Sequence, residues 1–84
     1  MKRTKLGRHI VADPAVCHGT PTFIGTRIMV NRVLEMVAAG TPWDEIIAEH
    51  DGAISPAAIA EAVRLASRSF SENNAARRIH SFLN

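Results

Sequence analysis

The chain of 84 residues contains a single cysteine, Cys17, and that scarcity limits its chemistry. One cysteine permits no internal disulfide and supplies too few thiolates for a cysteine-based zinc site. The basic start is not followed by an apolar run, so no signal peptide is predicted, and no segment approaches the roughly 20 apolar residues of a membrane span. The sequence therefore predicts a soluble, cytoplasmic protein.

Acidic residues are absent from the first nine positions, which carry the four cations Lys2, Arg3, Lys5 and Arg8. Residues 10–63 hold two basic residues against seven acidic ones, and residues 64–84 hold four against one. Basic ends around an acidic middle fit salt-sensitive contact with phosphates, and a solvated arm that only aids solubility is the other interpretation. Because residues 1–8 show no periodicity, they are predicted to form a flexible basic arm.

The remaining composition indicates one small globular domain. Hydrophobic residues make up 46% of the chain, too many for a disordered protein. A domain of this size buries only roughly 60% of its unfolded surface, so association with a second copy is a natural source of stability. We therefore expect a homodimer.

Two helix-start signals organise the middle of the chain. Thr41-Pro42 predicts a helix over 41–50, with an acidic first turn, and Ser55-Pro56 predicts a longer helix over 55–70. Asp51-Gly52 between them is a stop signal. Two helices with so short a connection predict a helix-turn-helix.

A third helix is needed to bury the apolar faces of this pair. Apolar residues at three- and four-residue spacings predict it over Met29–Ala39, with Gly40 at its end. The expected fold is mainly α, a three-helix, homeodomain-like helix-turn-helix domain. Its predicted core contains Val33, Leu34, Val37, Trp43, Ile46, Ile47, Ile59, Val63, Ala66 and Phe70.

Two short strands are predicted upstream of the helices. The candidates are His9–Ala12 and Pro21–Ile24, separated by a turn that contains glycine and proline. Since an isolated hairpin is marginal in water, it must pack on the helices or pair across a dimer. The hairpin and the three helices together form the predicted domain, residues 9–70.

Cys17-His18 is the pair that invites a catalytic or metal-binding interpretation, because a thiolate and an imidazole serve as nucleophile and base or as zinc ligands. The other histidines, His9, His50 and His80, are isolated in the sequence, and adjacent residues of an extended segment point to opposite faces. We therefore predict no enzyme, no metal and no cofactor. Packing of Cys17 as a small apolar residue is the favoured interpretation.

Gly25-Thr26-Arg27 has two interpretations. Backbone amides beside an arginine make a good oxyanion site. Alternatively, Arg27 pairs with Glu35 or Asp13 and fixes the hairpin to the first helix.

The N-terminal residues of the predicted recognition helix, which would face the bases, are Ser55, Ala57, Ala58 and Glu61. None is an arginine, asparagine or glutamine able to make a two-pronged base contact. Arg64 and Arg68 follow on the same face as Glu61, where they reach phosphates or bridge to Glu61 and Glu72. The predicted DNA-binding residues are Lys2, Arg3, Lys5, Arg8, Ser55, Arg64 and Arg68.

The sequence pattern changes in the C-terminal residues 71–84. Ser71-Glu72-Asn73-Asn74 is predicted to end or weaken the third helix, and an apolar stripe follows it. The stripe docks on a partner in one interpretation and folds back on its own domain or on a dimer mate in the other. The predicted partner-binding residues are Arg77, Arg78, Ile79, Phe82 and Leu83.

Several motifs together resemble a known bacterial family. They are Asp13-Pro14, Cys17-His18-Gly19 with Pro21, Gly25-Thr26-Arg27-Ile28, Leu34, Ala39-Gly40, Ile46, Ile54-Ser55 and Ala62-Val63. In these, over about residues 9–68, the sequence is similar to the family called domain of unknown function 433. The resemblance implies a helix-turn-helix-like fold and, as is frequent among members, a VapB-like antitoxin beside a PIN-domain ribonuclease toxin.

The function expected from these observations is a non-catalytic antitoxin. It binds and inhibits a PIN-type ribonuclease toxin, whose acidic site Arg77 or Arg78 would reach, and binds promoter DNA as an autorepressor. The alternative is a protein-interaction adaptor or dimerisation module without DNA binding.

Overall fold

The N-terminal part of the chain folds into a three-stranded antiparallel sheet. A computed structural model describes the backbone of residues 2–83 and the side chains of residues 2–71. The strands are β1 (Thr4–Lys5), β2 (Ile10–Ala12) and β3 (Thr22–Phe23), and β2 lies in the centre. The predicted hairpin is therefore confirmed, and it gains a third strand from the segment predicted as a flexible arm.

The register of the sheet decides which residues face the helices. Ile10 lies opposite Phe23, and Val11 lies opposite Thr22. Since successive residues of a strand point to opposite faces, the first pair enters the core among the helices, while the second pair points to the other side. All four side chains are buried.

Three helices follow the sheet, as the sequence predicts: α1 (Val30–Ala38), α2 (Trp43–Glu49) and α3 (Pro56–Leu83). The Ser55 cap is confirmed, because its Oγ accepts a hydrogen bond from the backbone N–H of Ala58 at 3.1 Å. The predicted Thr41 cap is wrong: Pro42 occupies the cap position of α2 and makes no side-chain hydrogen bond there.

The predicted stops are confirmed at two positions where the backbone is left-handed. Gly40 follows α1 with a φ of +82°, and Asp51 and Gly52 follow α2 with φ values of 55° and 73°. Glycine adopts this conformation without strain, and aspartate tolerates it better than most residues do. The connection from α2 to α3 is consequently short.

The core lies where the three helices meet the inner face of the sheet. Val33, Ile46 and Ile59 are fully buried at its centre. The complete buried cluster contains Ile10, Phe23, Val30, Val33, Ile46, Ile54, Ala58, Ile59 and Ala62. Leu34, Val37 and Ile47 from the predicted core pack against it and are partly buried.

Two aromatic residues of the predicted core lie largely outside it. Trp43, the first residue of α2, is 38% exposed, and Phe70 is 73% exposed. Both residues have suitable helical spacing. Trp43, however, lies at the end of its helix, and Phe70 lies on a part of α3 that is no longer covered by the core. Ala58 and Ala62 are buried instead, and their small size allows close helix packing.

Helix α3 contains 28 residues in one uninterrupted element. The prediction that residues 71–74 end it is wrong, because serine, glutamate and asparagine lower helix stability far less than glycine or proline. At 1.5 Å per residue the helix is about 42 Å long. None of the three helices, within the residues described, combines the length and apolar character needed to cross a bilayer.

Candidate functional site

Glu61 lies on α3 and binds the segment that connects β1 to β2. Its Oε1 accepts a hydrogen bond from the backbone N–H of His9 at 2.7 Å, and its Oε2 accepts one from the backbone N–H of Arg8 at 3.1 Å. The Nδ1 of His9 lies 3.6 Å from Oε2. We call Glu61 with residues Gly7, Arg8 and His9 the Glu61 clamp.

Gly7 is part of the clamp because no side chain fits there. A Cβ added to Gly7 would lie 2.5 Å from Oε1 of Glu61, well inside van der Waals contact. The carboxylate could move away only by losing its two backbone hydrogen bonds. Gly7 therefore allows the chain to pass directly over the carboxylate.

The environment of Glu61 keeps its carboxylate charged. Burial of the side chain, which is 15% exposed, raises its pKa. The backbone hydrogen bonds from His9 and Arg8 and the charge of His9 oppose that effect and outweigh it, so the pKa lies below the usual value. At neutral pH the clamp holds an ionised carboxylate.

The clamp changes the interpretation of the predicted recognition helix. Glu61 is occupied within the molecule, Ala58 is buried, and the hydroxyl of Ser55 caps the helix. Only Ala57 of the four predicted base-facing residues is exposed without such a contact, and alanine cannot distinguish bases through hydrogen bonds. None of the four residues predicted to face the bases can therefore make a two-pronged base contact.

The predicted DNA-binding cations are exposed, and they come from two parts of the chain, the N-terminal segment and α3. Arg8 and His9 line a concavity of about 350 Å³ with Ser55 and Ala58, so Arg8 lies at the N-terminal end of α3. Arg64 and Arg68 follow along α3 and are exposed. Among the side chains of residues 2–71, neither of these two arginines forms an ion pair with Glu61. Lys2, Arg3 and Lys5 are exposed on or beside β1.

Cys17 and His18 begin a turn of three consecutive left-handed residues. The φ values are 49° for Cys17, 56° for His18 and 85° for Gly19. Cys17 Sγ donates a weak hydrogen bond to the carbonyl oxygen of Arg27 at 3.7 Å. The cysteine therefore links the turn at residues 17–19 to the Gly25-Thr26-Arg27 segment. Within the described residues, no three side chains of histidine, cysteine, aspartate or glutamate are grouped as metal ligands would be.

The Gly25-Thr26-Arg27 segment is a tight turn fixed by one hydroxyl. Oγ1 of Thr26 donates to the carbonyl oxygen of Phe23 at 2.8 Å and accepts the backbone N–H of Ile28 at 3.0 Å. The proposed pairing of Arg27 with Asp13 or Glu35 is not found among the described side chains, where the ion pair is that of His9 with Glu61.

Arg27 lies instead beside a second concavity, also of about 350 Å³, which we call the motif cleft. Arg3 and Asp13 lie at the same cleft although they are distant from Arg27 in the sequence. The cleft is lined by Arg3, Val11, Asp13, Val16, Thr22, Gly25, Thr26 and Arg27. Its position directly before β1 makes Arg3 a neighbour of Arg27, which the sequence pattern did not predict.

An apolar groove of about 430 Å³ lies between the sheet, α1 and α3. Leu6, Leu34 and Leu65 contribute to its walls, and Leu6 is exposed. The predicted partner-binding residues Arg77, Arg78, Ile79, Phe82 and Leu83 belong to the backbone of α3, but their side chains lie outside the described residues.

Comparison with known proteins gives a family and no function. The family model described as Protein of unknown function (DUF433) matches residues 10–66, more than half of the chain. No curated protein and no solved structure matches the chain significantly. The clamp residue Glu61 and the cleft residue Arg27 fall inside the matched region, whereas Arg3 and Gly7 precede it.

Proposed function

Because the chain belongs to the family described as Protein of unknown function (DUF433), whose description states no activity, we propose its function from its surfaces. The protein is a non-catalytic antitoxin that binds and inhibits a PIN-type ribonuclease toxin through the C-terminal part of α3. It also contacts promoter DNA as an autorepressor. Its two activities use opposite ends of the same helix.

The observation that carries the proposal is the extension of α3 beyond the domain. Ala62, Ala66 and Phe70 are spaced four residues apart and therefore share one side of the helix. Ala62 is buried, Ala66 is half-buried and Phe70 is 73% exposed. The same side of α3 thus leaves the core before residue 70, yet the helix continues to Leu83.

A projecting helix with apolar and cationic residues is suited to bind in the groove of another protein. The sequence beyond Phe70 supplies Ile79, Phe82 and Leu83 for apolar contact. Arg77 and Arg78 supply guanidinium groups, which pair well with the carboxylates of an acidic nuclease site. These features support a ribonuclease as the partner.

The other end of α3 supports contact with DNA. Arg8 lies beside the helix N-terminus, where the positive end of the helix dipole favours phosphate. In this proposal α2, the short connection at 50–55 and this end of α3 act as the helix-turn-helix. Binding is proposed to depend mainly on phosphates, with Arg64 and Arg68 as further contacts. A homodimer, supported by the apolar groove, would double these contacts.

The toxin proposal is tested with the ribonuclease encoded by the neighbouring reading frame. The full chain is expected to relieve its toxicity on co-expression and to copurify with it, whereas a chain stopped after Asn73 loses both effects. Circular dichroism and the Tm must show that the shortened chain folds. The exposed substitution Arg32→Gln on α1 is the matched control and should retain both activities.

Two results would contradict the toxin proposal. Undiminished binding by the shortened, folded chain would remove the C-terminal part of α3 from the interface. Failure of the full chain to bind the ribonuclease or to relieve its toxicity would remove the antitoxin function.

The second candidate is a protein-interaction adaptor without DNA binding. The engagement of Glu61 in the clamp and the lack of base-reading side chains at Ser55, Ala57 and Ala58 favour it. In this alternative the packing of α2 against α3 has only a structural purpose, and the projecting helix is the sole functional surface.

Salt dependence separates the two candidates. If DNA is bound, log K for the promoter falls linearly with log salt concentration, and replacing Arg8 and Arg64 with glutamine reduces the slope by about two. Arg32→Gln should leave the slope unchanged. Fluorescence anisotropy with a promoter duplex and a scrambled duplex measures this. The absence of binding even at low salt would favour the adaptor.

A further inference from the structure

The face of the sheet that points away from the core cluster is also buried at its centre. Val11 and Thr22 are directly paired across β2 and β3, and both are almost inaccessible to solvent. The motif cleft lies over this pair, and its walls come from Arg3, from Asp13 and Val16, and from residues 25–27. Segments 13–16 and 25–27 therefore pack on the sheet and form a cleft there.

The walls of the cleft are held in place by several hydrogen bonds. The thiol of Cys17 contacts the carbonyl oxygen of Arg27, and the hydroxyl of Thr26 bonds to the backbone on both sides of its own turn. Oδ1 of Asp13 accepts the backbone N–H of Ala15 at 2.9 Å. The cleft is thus preformed, which lowers the entropy lost when a ligand binds.

The charges that line the cleft are unequal. Two guanidinium groups, those of Arg3 and Arg27, stand against the single carboxylate of Asp13, which already accepts a hydrogen bond from the backbone. Both arginines are exposed, and neither forms an ion pair with another described side chain. The cleft therefore has an excess of positive charge, carried by two guanidinium groups that are open to solvent.

Pairing of β1 with β2 is what brings the two arginines to one cleft. Thr4 lies opposite Ala12, which places Arg3 near the end of β2 and beside Asp13. Arg27 lies in the turn that follows β3 and lines the same cleft. Guanidinium groups present several N–H donors in a planar fork that matches the oxygens of phosphate.

We propose that the motif cleft binds a phosphate group, with Arg3 and Arg27 as the ligating side chains and the polar turn at Thr26 as its rim. A volume of about 350 Å³ accommodates a phosphate, either free or as part of a nucleic-acid backbone. The site is separate from both ends of α3, so it does not depend on the proposed antitoxin function.

The test follows backbone amide resonances by NMR as sodium phosphate is added at constant ionic strength. Saturable shifts are expected at Gly25 and Thr26. Arg27→Gln should weaken the apparent affinity at least tenfold, and Arg3→Gln should weaken it as well. The matched control Arg32→Gln, on α1 and outside the cleft, should bind as the unaltered protein does. The amide spectrum of each variant shows whether it folds, and Arg3→Gln serves alone if Arg27→Gln does not.

A second titration distinguishes the sources of the phosphate. A short DNA duplex that shifts the same amides and competes with inorganic phosphate assigns the cleft to a nucleic-acid backbone, whereas binding of inorganic phosphate alone assigns it to a free anion. Both results support the proposal. Failure of both probes to give saturable shifts at Gly25 and Thr26, or equal weakening by Arg32→Gln, would overturn it.

Discussion

Replacement of Ile59 with alanine is expected to destabilise the domain by about 2–5 kcal/mol, the largest effect of any single substitution considered for this chain. Ile59 is fully buried in the core cluster and lies on the side of α3 that faces α1 and α2. Alanine would remove three carbons and leave a cavity that neighbouring residues fill only in part.

The loss is large compared with the whole stability of such a domain. Small proteins are stable by about 5–15 kcal/mol, and a domain of this length loses roughly 4–8 °C of Tm for each kcal/mol. Urea denaturation followed by circular dichroism should therefore show a much lower midpoint for Ile59→Ala. The expected decrease in Tm is at least about 8 °C.

The matched control is Ile24→Ala, which removes the same atoms from a side chain that is 38% exposed at the end of β3. Because less apolar surface is lost from a buried environment, we expect a clearly smaller decrease in stability. Equal losses for the two variants would contradict the placement of Ile59 at the centre of the core.

Replacement of Glu61 with glutamine is expected to cost about 2 kcal/mol at neutral pH. The carboxylate accepts two backbone hydrogen bonds, and bonds to a charged group contribute about 1.5–3 kcal/mol each before exposure to solvent reduces them. Glutamine has only one acceptor oxygen. Its NH₂ group would face one of the two backbone N–H donors and could not accept a hydrogen bond from it. The free energy of unfolding, measured in urea at pH 7, tests this expectation.

The same clamp predicts a dependence of stability on pH. Because folding lowers the pKa of Glu61, its stabilisation is complete above the unfolded value of about 4.5 and disappears as the pH falls through the folded value. The stability difference between the unaltered protein and Glu61→Gln should thus be largest near neutral pH. It should shrink in acid below about pH 4.

Two further variants test whether the clamp is the cause. Glu35→Gln removes an exposed carboxylate on α1 and should change stability little at any pH. Gly7→Ala should displace the carboxylate and lower stability, with less additional effect when Glu61 is already glutamine. Additive losses for Gly7→Ala and Glu61→Gln would show that the two positions act independently and would contradict the clamp.

The features that sequence reasoning predicted correctly depend on short-range signals. Ser55-Pro56 begins α3, Gly40 follows α1, and Asp51-Gly52 ends α2, as expected from residues within one helical turn. The strand pair also follows from local pattern and turn residues. These signals act within a few residues, so they can be recognised before the packing of the elements is known.

The features that the sequence did not predict involve residues far apart in the chain. Strand β1 is only two residues long and has no periodicity of its own; it exists because β2 offers a free edge. Glu61 and His9 are 52 positions apart, and no motif in the sequence connects them. Phe70 is exposed because the packed core ends before it along α3, and helical spacing in the sequence does not show where the core ends.

The sequence by itself determined the three helices, the start of α3, the stops after α1 and α2, and most of the residues that could enter a core, because helix and turn formation depends on neighbours along the chain. Only the tertiary structure decided what Glu61 binds and that Arg3 shares a cleft with Arg27. It also decided which side of α3 leaves the core at Phe70. Those outcomes depend on how the sheet and helices are stacked, and that stacking joins side chains which no local pattern relates.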